Sequence, residues 1–283
     1  CPVFVQVATT LDAERRAATN GGGWKAGLRH LTTRMARRLE QRGLQETAGV
    51  FVENRWMADH VGALRKGTGV YFAPPGVDTD YLQPDPLAER KHLLFVGRMD
   101  DRRKNLALLL KAYAQYLSRN DYGVPLVLAG FRGPLPEHRQ LIDDLGLTAK
   151  VTIHAGPTRA ELRGLYQTAK LVALSSNEEG LGMVLVEGMA CGAPVLSTDC
   201  GGPRTIVNSG KNGLLVPVGD VEAFASALER MLTNPGMVAA MGGEARRNAV
   251  MDFSLEAAGR RFTEIYEKAP FAQRRAPDHD LAL

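Results

Sequence analysis

From about residue 91 onward, short apolar runs alternate with longer amphipathic segments. Apolar runs of about four to eight residues bounded by turn-forming residues are typical of buried strands, and a repeat of three to four residues is typical of helices packed on them. Their regular alternation predicts βα units around a parallel sheet. The predicted strands span residues 92–96, 125–129, 151–154, 171–174, 194–197 and 213–216, with helices between them such as 105–117 and 159–168.

The first third of the chain carries a sparser pattern. Its strand candidates are residues 3–7, 49–52 and 70–73, joined by helices near 24–42 and 57–64. Residues 73–86 predict a linker, because their prolines cannot continue the interior of a sheet. The chain starts with Cys1 rather than Met and enters an apolar run almost at once, so we expect upstream sequence to be missing.

These patterns predict an α/β protein with a divided chain. Residues 1–86 form a partial N-terminal domain with its linker, and residues 87–253 form a complete doubly wound domain. Ser254 is expected to cap a final helix that runs to about residue 269, within a segment 254–283 that ends in a polar tail.

Composition narrows the class of protein only slightly. A hydrophobic fraction of 45% and a charged fraction of 23% indicate a globular chain, and a net charge of +4 is too small to select a partner. The odd set Cys1, Cys191 and Cys200 supports neither a disulfide framework nor a zinc site and favours a reducing cytoplasm. Neither a membrane span nor a signal-peptide pattern is apparent, so we expect a soluble or peripheral cytoplasmic protein.

Residues 175–199, SSNEEGLGMVLVEGMACGAPVLSTD, carry the most informative pattern. Gly180 and Gly182 let the backbone approach a ligand closely, and the helix that follows offers free N–H groups to an anion such as phosphate. Glu179 precedes this helix and Glu187 lies on it. Carboxylates accept hydrogen bonds from the vicinal hydroxyls of a sugar or ribose. The alternative, two ordinary surface carboxylates, leaves the glycine turn unexplained.

This stretch resembles the E-x7-E motif of the retaining glycosyltransferases of family 4. A second segment, FVGRMDDRRKNLALLLKAY, is similar to the G-R-x-x-x-x-K-N segment of the same family, and the matches GGPRTIV, NGLLVPVGD and APPGVDTDYLQP extend the resemblance over residues 70–269. The resemblance implies two facing Rossmann-like domains of the GT-B type, with the final helix crossing back to the first domain. It also implies transfer of a hexosyl-type group from a nucleoside diphosphate sugar to an acceptor hydroxyl, with retention of anomeric configuration.

The same resemblance implies roles for individual residues. Arg98 and Lys104 hold the donor diphosphate, Glu179 binds the hydroxyls of the donor sugar, and Glu187 binds the donor ribose. Arg98, Lys104 and Glu179 are the catalytic candidates, since two fixed cations can stabilise a leaving diphosphate without a metal ion. We therefore expect neither a metal nor a further cofactor. The donor-binding backbone is expected at Gly180, Leu181, Gly182 and Met183, and the nucleotide base near residues 154–156, with His154 as a rim residue.

The sequence departs from the family pattern at two places, and the first of them, together with the incomplete N-terminal domain, keeps an alternative open. The segment VQVATTLDAE lacks the His that usually follows this strand, and Thr205 stands where many relatives have Glu. The alternative is a non-catalytic nucleotide-sugar-binding protein or an inactive fragment.

Residues 24–42 predict an amphipathic, strongly basic helix. Trp24, Leu28, Leu31, Met35 and Leu39 form one stripe, and between Arg15 and Arg42 eight Lys or Arg residues accompany a single acidic one. One interpretation is contact with anionic lipid at the inner face of the membrane, serving a lipid-linked acceptor. The other, which we prefer, is a Rossmann helix whose stripe packs on its own sheet. Nucleic-acid binding is disfavoured, because no aromatic residues are interleaved with the arginines to stack bases.

Overall fold

The computed structural model describes residues 4–7, 25–66, 69–120 and 123–268. Its N-terminal sheet contains β1 (Phe4–Val7), β2 (Gly49–Val52) and β3 (Val70–Phe72), paired in parallel in the order β1-β2-β3. Helices α1 (Lys25–Glu46) and α2 (Arg55–Leu64) lie between these strands in the chain. A small core of Leu44, Val50, Val52, Met57 and Val61 joins the two helices to the sheet. The three predicted strands are confirmed.

The second sheet contains β4 (His92–Val96), β5 (Leu126–Gly130), β6 (Val151–Ala155), β7 (Ala169–Leu174), β8 (Val195–Thr198) and β9 (Gly213–Val216). Its order is β6-β5-β4-β7-β8-β9 with every neighbouring pair parallel. The six predicted strands are therefore confirmed, with ends within about two residues of the prediction. This is the doubly wound Rossmann order, in which the direction of winding reverses between β4 and β7.

Helices cover both faces of this sheet. They are a short 3-10 turn (Arg102–Lys104), α3 (Leu106–Arg119), α4 (Pro136–Asp144), α5 (Arg159–Gln167), α6 (Met183–Ala190), α7 (Pro203–Ile206), α8 (Val221–Leu232) and α9 (Pro235–Phe253). The last described helix, α10 (Leu255–Lys268), follows α9. Side chains of a strand alternate between faces, so Leu93 and Phe95 enter one core with α3 and α8. Leu94 and Val96 enter the other core, with α5, α6 and α9.

The chain crosses between the two domains twice, and the crossings lie side by side. In the linker, the Val77 amide donates to the Phe253 carbonyl at 2.8 Å, and the Leu255 amide donates to the Val77 carbonyl at 3.0 Å. Ser254 accepts a hydrogen bond from the Ala257 amide at 3.1 Å, so it caps α10 as predicted. The rings of Phe262 and Tyr266 then contact Phe51 of β2, with centroids 5.0 and 5.6 Å apart. The last helix therefore returns to the N-terminal domain.

Helix α1 does not bury the two described residues of the predicted apolar stripe, Met35 and Leu39. The side chains of Met35 and Leu39 are 60% and 66% exposed, whereas Leu44 enters the core. Leu44 follows Met35 by nine residues, which places it about 180° around a helix. The preferred interpretation, in which the stripe packs on its own sheet, is therefore wrong at these positions. Trp24 and the side chains of Leu28 and Leu31 lie outside the described part of the chain. Among the described helices, none is long and apolar enough to cross a membrane.

Candidate functional site

The predicted site residues lie in two loops at the carboxyl ends of β4 and β7. Several hydrogen bonds fasten these loops to each other. The backbone amide of Asn177 donates to the Arg103 carbonyl at 2.7 Å, and the Ser175 hydroxyl donates to the Lys104 carbonyl at 2.9 Å. The side-chain amide of Asn105 donates to the side-chain oxygen of Asn177 at 2.9 Å. The order of the sheet reverses here, and a crevice at such a point is where open α/β sheets bind ligands.

Lys104 and Glu179 form the centre of this region. Lys104 Nζ donates to Glu179 Oε1 at 2.5 Å, and the two side chains are only 16% and 11% exposed. Glu179 Oε1 also accepts a hydrogen bond from the Ser176 hydroxyl at 2.6 Å. A cation from the β4 loop and a carboxylate from the β7 loop are thus brought together with little water around them. In such a site each charge depends strongly on the other.

Arg98 lies in the same loop as Lys104 but does not join this pair. Its side chain is 62% exposed and donates to Asp101 Oδ2 at 2.5 Å. Asp101 also accepts from the Arg103 guanidinium at 2.9 Å. Burial disfavours the charged Asp101 carboxylate, but the hydrogen bonds from Arg103 and the charge of Arg98 outweigh this and lower its pKa. Asp101 therefore orders both arginines beside the Lys104 and Glu179 pair.

The predicted glycine turn leads directly into α6. Gly182 adopts a left-handed conformation with φ of 91° as the first cap residue of α6, and no side chain caps the helix. Leu181 is buried and anchors the turn, while Met183 begins the helix. The free N–H groups of the first turn can donate hydrogen bonds to an anion.

Gly202 supports the same turn from behind. Its amide donates to the Glu179 carbonyl at 3.2 Å. A Cβ atom at position 202 would lie 2.3 Å from the Gly180 carbonyl oxygen, closer than any carbon can approach. The backbone of the GGPRTIV segment therefore packs directly against the glycine turn, and only glycine fits at position 202.

Glu187 projects from α6 towards a buried tyrosine. The Tyr166 hydroxyl of α5 donates to Glu187 Oε2 at 2.6 Å. Burial raises the pKa of Glu187, an effect that the Tyr166 hydrogen bond partly opposes. Burial, followed by the charge of Glu187, also raises the pKa of Tyr166 far above its ordinary value, so the phenol remains a donor. Sequence reasoning missed Tyr166, whose only signal was an apolar position in α5.

Asn54 is a second contact that sequence reasoning missed. It is 1% exposed, and its Oδ1 accepts a hydrogen bond from the Met57 amide at 2.7 Å, which caps α2. Its Nδ2 donates to the Gly180 carbonyl at 2.5 Å. A single side chain thus caps a helix of the N-terminal domain and holds the glycine turn of the other domain. The cap position was readable from the sequence, but its contact across the domains was not.

The remaining candidates lie at the rim of the site. His154 is exposed at the end of β6, and the Gly156 amide donates to the Gly130 carbonyl at 2.7 Å. Burial raises the pKa of the Cys191 and Cys200 thiols to about 12, so neither is a ready nucleophile. Within the described residues, no group of three or more His, Cys, Asp or Glu side chains is placed to hold a metal. Cys1 lies outside the described residues.

Comparison with known proteins gives consistent matches. The sequence profile of the family described as "Glycosyl transferases group 1" matches residues 82–248. D-inositol 3-phosphate glycosyltransferase of Corynebacterium jeikeium (strain K411) is 34% identical over 225 residues, which cover 73% of this chain and 53% of that protein. The chain thus spans about half the length of this relative.

Solved structures share the fold. Sucrose-phosphate synthase of Thermosynechococcus elongatus superposes with a TM-score of 0.78 at 23% identity, over 93% of this chain and 67% of that one. Anabaena HepE in complex with UDP and glucose superposes with a TM-score of 0.76 at 20% identity, over 94% of this chain and 71% of that one. At these identities the likeness establishes the two-domain GT-B architecture.

Proposed function

Because the chain belongs to the group 1 glycosyl transferases, we propose that it transfers a hexosyl-type group from a nucleoside diphosphate sugar to an acceptor hydroxyl, with retention of anomeric configuration. The observation that carries this proposal is the pairing of Lys104 with Glu179, 2.5 Å apart, at the point where the order of the six-stranded sheet reverses. A cation suited to a phosphate and a carboxylate suited to sugar hydroxyls meet there, beside an uncapped helix start.

Lys104 and Arg98 bind the leaving diphosphate. As the bond to the sugar breaks, negative charge grows on the phosphate oxygens, and a preorganised cation stabilises that charge. Lys104 is held in place by Glu179 for this purpose, and the N–H groups at the start of α6 supply further donors. Arg98 is exposed, so it can exchange Asp101 for the donor phosphate when the donor binds. We expect this set of donors to act without a metal ion.

The two carboxylates select the two sugars of the donor. Glu179 accepts hydrogen bonds from hydroxyls of the transferred sugar, and Glu187 accepts them from the ribose. Tyr166 and Ser176 hold these carboxylates in position. The base lies over the backbone near residues 154–156.

The reaction exchanges one bond at the anomeric carbon. The bond to the oxygen of the β-phosphate breaks, and a bond to the acceptor oxygen forms on the same face of the sugar. The proton of the acceptor hydroxyl passes to the departing phosphate, which also carries away the bonding electron pair. The proposal of retention rests on the resemblance to family 4.

The comparisons suggest the first substrates to test. The relative from C. jeikeium is named for D-inositol 3-phosphate, and the HepE structure contains UDP. We propose a phosphorylated polyol or a lipid-linked sugar as the acceptor class. The proposed place of action is the cytoplasm, at the inner face of the membrane, supported by exposed Arg34, Arg38 and Arg42 beside the exposed Met35 and Leu39 of α1.

A transfer assay tests this function. The chain is incubated with UDP, GDP, ADP or TDP sugars and D-inositol 3-phosphate, with and without EDTA. The expected result is release of the nucleoside diphosphate that depends on the acceptor and is insensitive to EDTA. The product is expected to have the same anomeric configuration as the donor sugar, as measured by NMR. Tight nucleotide binding without release for any acceptor would instead support the non-catalytic alternative.

A further inference from the structure

A cavity of about 540 Å³ lies beyond the end of α6, at the edge of the sheet opposite the candidate site. Arg90 precedes β4, Lys170 is the second residue of β7, and Gly192 precedes β8, and all three line this cavity. The strands are parallel, so these positions mark their amino ends, whereas the candidate site lies at their carboxyl ends. The five residue-to-residue steps from Lys170 to Ser175 span roughly 16 Å of extended chain. The cavity is therefore separate from the proposed donor site.

The volume of this cavity lies within the range of small-molecule sites. Pockets that bury a small ligand measure about 300–1,000 Å³. The floor is rigid because α9 meets the end of α6 closely, and a Cβ atom at Gly242 would lie 2.5 Å from the Gly192 carbonyl oxygen. Leu232, Pro235 and Val238 supply an apolar wall.

Three cations border this apolar wall. Arg90 donates to the carbonyls of Ala169 and Cys191 at 2.6 and 2.8 Å. Arg246 donates from one nitrogen to the carbonyls of Thr79, Leu82 and Ala190. Neutral carbonyls satisfy hydrogen bonds without cancelling charge, and arginine keeps its proton. Both arginines are therefore fixed in position by the end of α6 or the linker and remain positive.

Lys170 is the cation left for a ligand. It is half-buried, and its side chain forms no hydrogen bond or ion pair with the described part of the chain. The described acidic side chains likewise form no ion pair with Arg90 or Arg246. A cavity that combines an apolar wall with an excess of positive charge complements a ligand with an anionic head and an apolar body.

We propose that this cavity, lined by Lys170, Arg90, Arg246, Leu232, Pro235 and Val238, binds a small amphipathic anion, a phosphate or carboxylate attached to an apolar group. The anion lies against Lys170, with Arg90 and Arg246 adding to the positive potential, and the apolar group lies on the helical wall. The occupant is bound rather than transformed.

Titration calorimetry with hexyl phosphate tests this site, with inorganic phosphate and hexanol as matched partial ligands. Hexyl phosphate is expected to bind at least about tenfold more tightly than either, because each buried methylene and the charged hydrogen bond to Lys170 add affinity. Lys170→Gln is expected to weaken binding about tenfold or more. The matched control Lys150→Gln, an exposed lysine outside the cavity, is expected to leave it unchanged.

A second pair of variants tests the cavity itself. Ala239 lines it and is exposed, so Ala239→Trp fills it from the solvent side, whereas neighbouring Ala240 is exposed and does not line it. Ala239→Trp is expected to abolish binding and Ala240→Trp to preserve it, with both variants retaining a cooperative thermal transition. Absence of binding by the wild type, or equal binding by all four variants, would overturn the proposal. Nucleotide is absent from this experiment, so its outcome does not depend on the proposed transfer activity.

Vesicles containing phosphatidic acid distinguish two sources of the ligand when Ala239→Trp is tested in a chain whose Arg34, Arg38 and Arg42 are changed to Gln, because the basic face of α1 then no longer contributes to vesicle binding. Loss of vesicle binding in Ala239→Trp assigns the site to a membrane lipid. Unchanged vesicle binding, together with lost hexyl phosphate binding, assigns it to a water-soluble molecule.

Discussion

The hydroxyl of Tyr166 donates a 2.6 Å hydrogen bond to the carboxylate of Glu187, from one helix to the next behind the glycine turn. Burial raises the pKa of Glu187 above its ordinary 4.5, and the Tyr166 hydrogen bond lowers it. Burial is the larger effect, so the pKa of Glu187 is raised overall and the folded chain binds the carboxyl proton of Glu187 more tightly than the unfolded chain does. The stabilising effect of protonation is complete below 4.5 and is lost as the pH rises through the raised value.

Tyr166→Phe is expected to destabilise the fold in a pH-dependent way. Removing the hydroxyl deprives the charged Glu187 of its donor, at a cost of about 1.5–3 kcal/mol at neutral pH. The cost is expected to shrink on acidification, because protonated Glu187 needs the donor less. Urea denaturation between pH 4 and pH 8 measures this. Tyr113→Phe is the control, since the Tyr113 hydroxyl donates to the neutral Val124 carbonyl. The same pH dependence in both variants would contradict the account.

Lys104→Met is expected to impair both stability and transfer. The substitution leaves the mostly buried Glu179 carboxylate without its cationic partner, which lowers the free energy of unfolding by about 1–3 kcal/mol. Loss of a preorganised group that stabilises charge in the transition state lowers kcat by about 100-fold or more. The double variant Lys104→Met with Glu179→Gln is expected to regain stability but not kcat. Recovery of kcat in the double variant would show that Lys104 does not stabilise the leaving diphosphate.

Gly202→Ala is expected to displace the glycine turn. Its Cβ atom would meet the Gly180 carbonyl oxygen at 2.3 Å, so the turn must move, at a cost of about 1–3 kcal/mol. Gly259→Ala is the control, because its Cβ atom would meet nothing within 4 Å. Thermal unfolding and nucleotide affinity are measured for both. An undisturbed Gly202→Ala variant would show that the turn is not held at this height.

The exposed face of α1 is expected to bind anionic lipid. The residues Arg34, Arg38 and Arg42 lie one turn apart on one side of the helix, beside Met35 and Leu39. Replacing the three arginines with Gln is expected to weaken binding to phosphatidylserine vesicles about 100-fold, since each contributes about 1 kcal/mol. A control with Lys150, Lys211 and Arg230 changed to Gln removes the same charge elsewhere. Flotation that responds equally to both triple variants, or that needs no anionic lipid, would refute a specific membrane face.

The positions of the strands follow from local signals in the sequence. Buried parallel strands appear as continuous apolar runs, and the six runs of the C-terminal domain agree with the observed strands within about two residues. The spacing of Glu179 and Glu187 likewise placed one carboxylate before α6 and one on it. Such features depend on residues close together in the chain.

The contacts that complete the site depend on distant residues and had no local signal. Tyr166 lies 21 residues from Glu187, and Asn54 lies 126 residues from Gly180. The exposure of Met35 and Leu39 was missed for a related reason. Periodicity defines the stripes of a helix, but the packing of Leu44 decides which side faces the sheet.

Binding of a nucleoside diphosphate at the turn between Glu179 and Glu187 is the central claim. Thermal unfolding with UDP, GDP, ADP or TDP tests it most directly, because a ligand of the native state at about 100 times its Kd stabilises it by about 2.7 kcal/mol. At least one nucleotide is expected to raise the Tm of the wild type and of the control Glu267→Ala. The same nucleotide is expected to produce little or no shift in Glu187→Ala or Lys104→Met. Equal shifts in all four proteins, or none in the wild type, would contradict it.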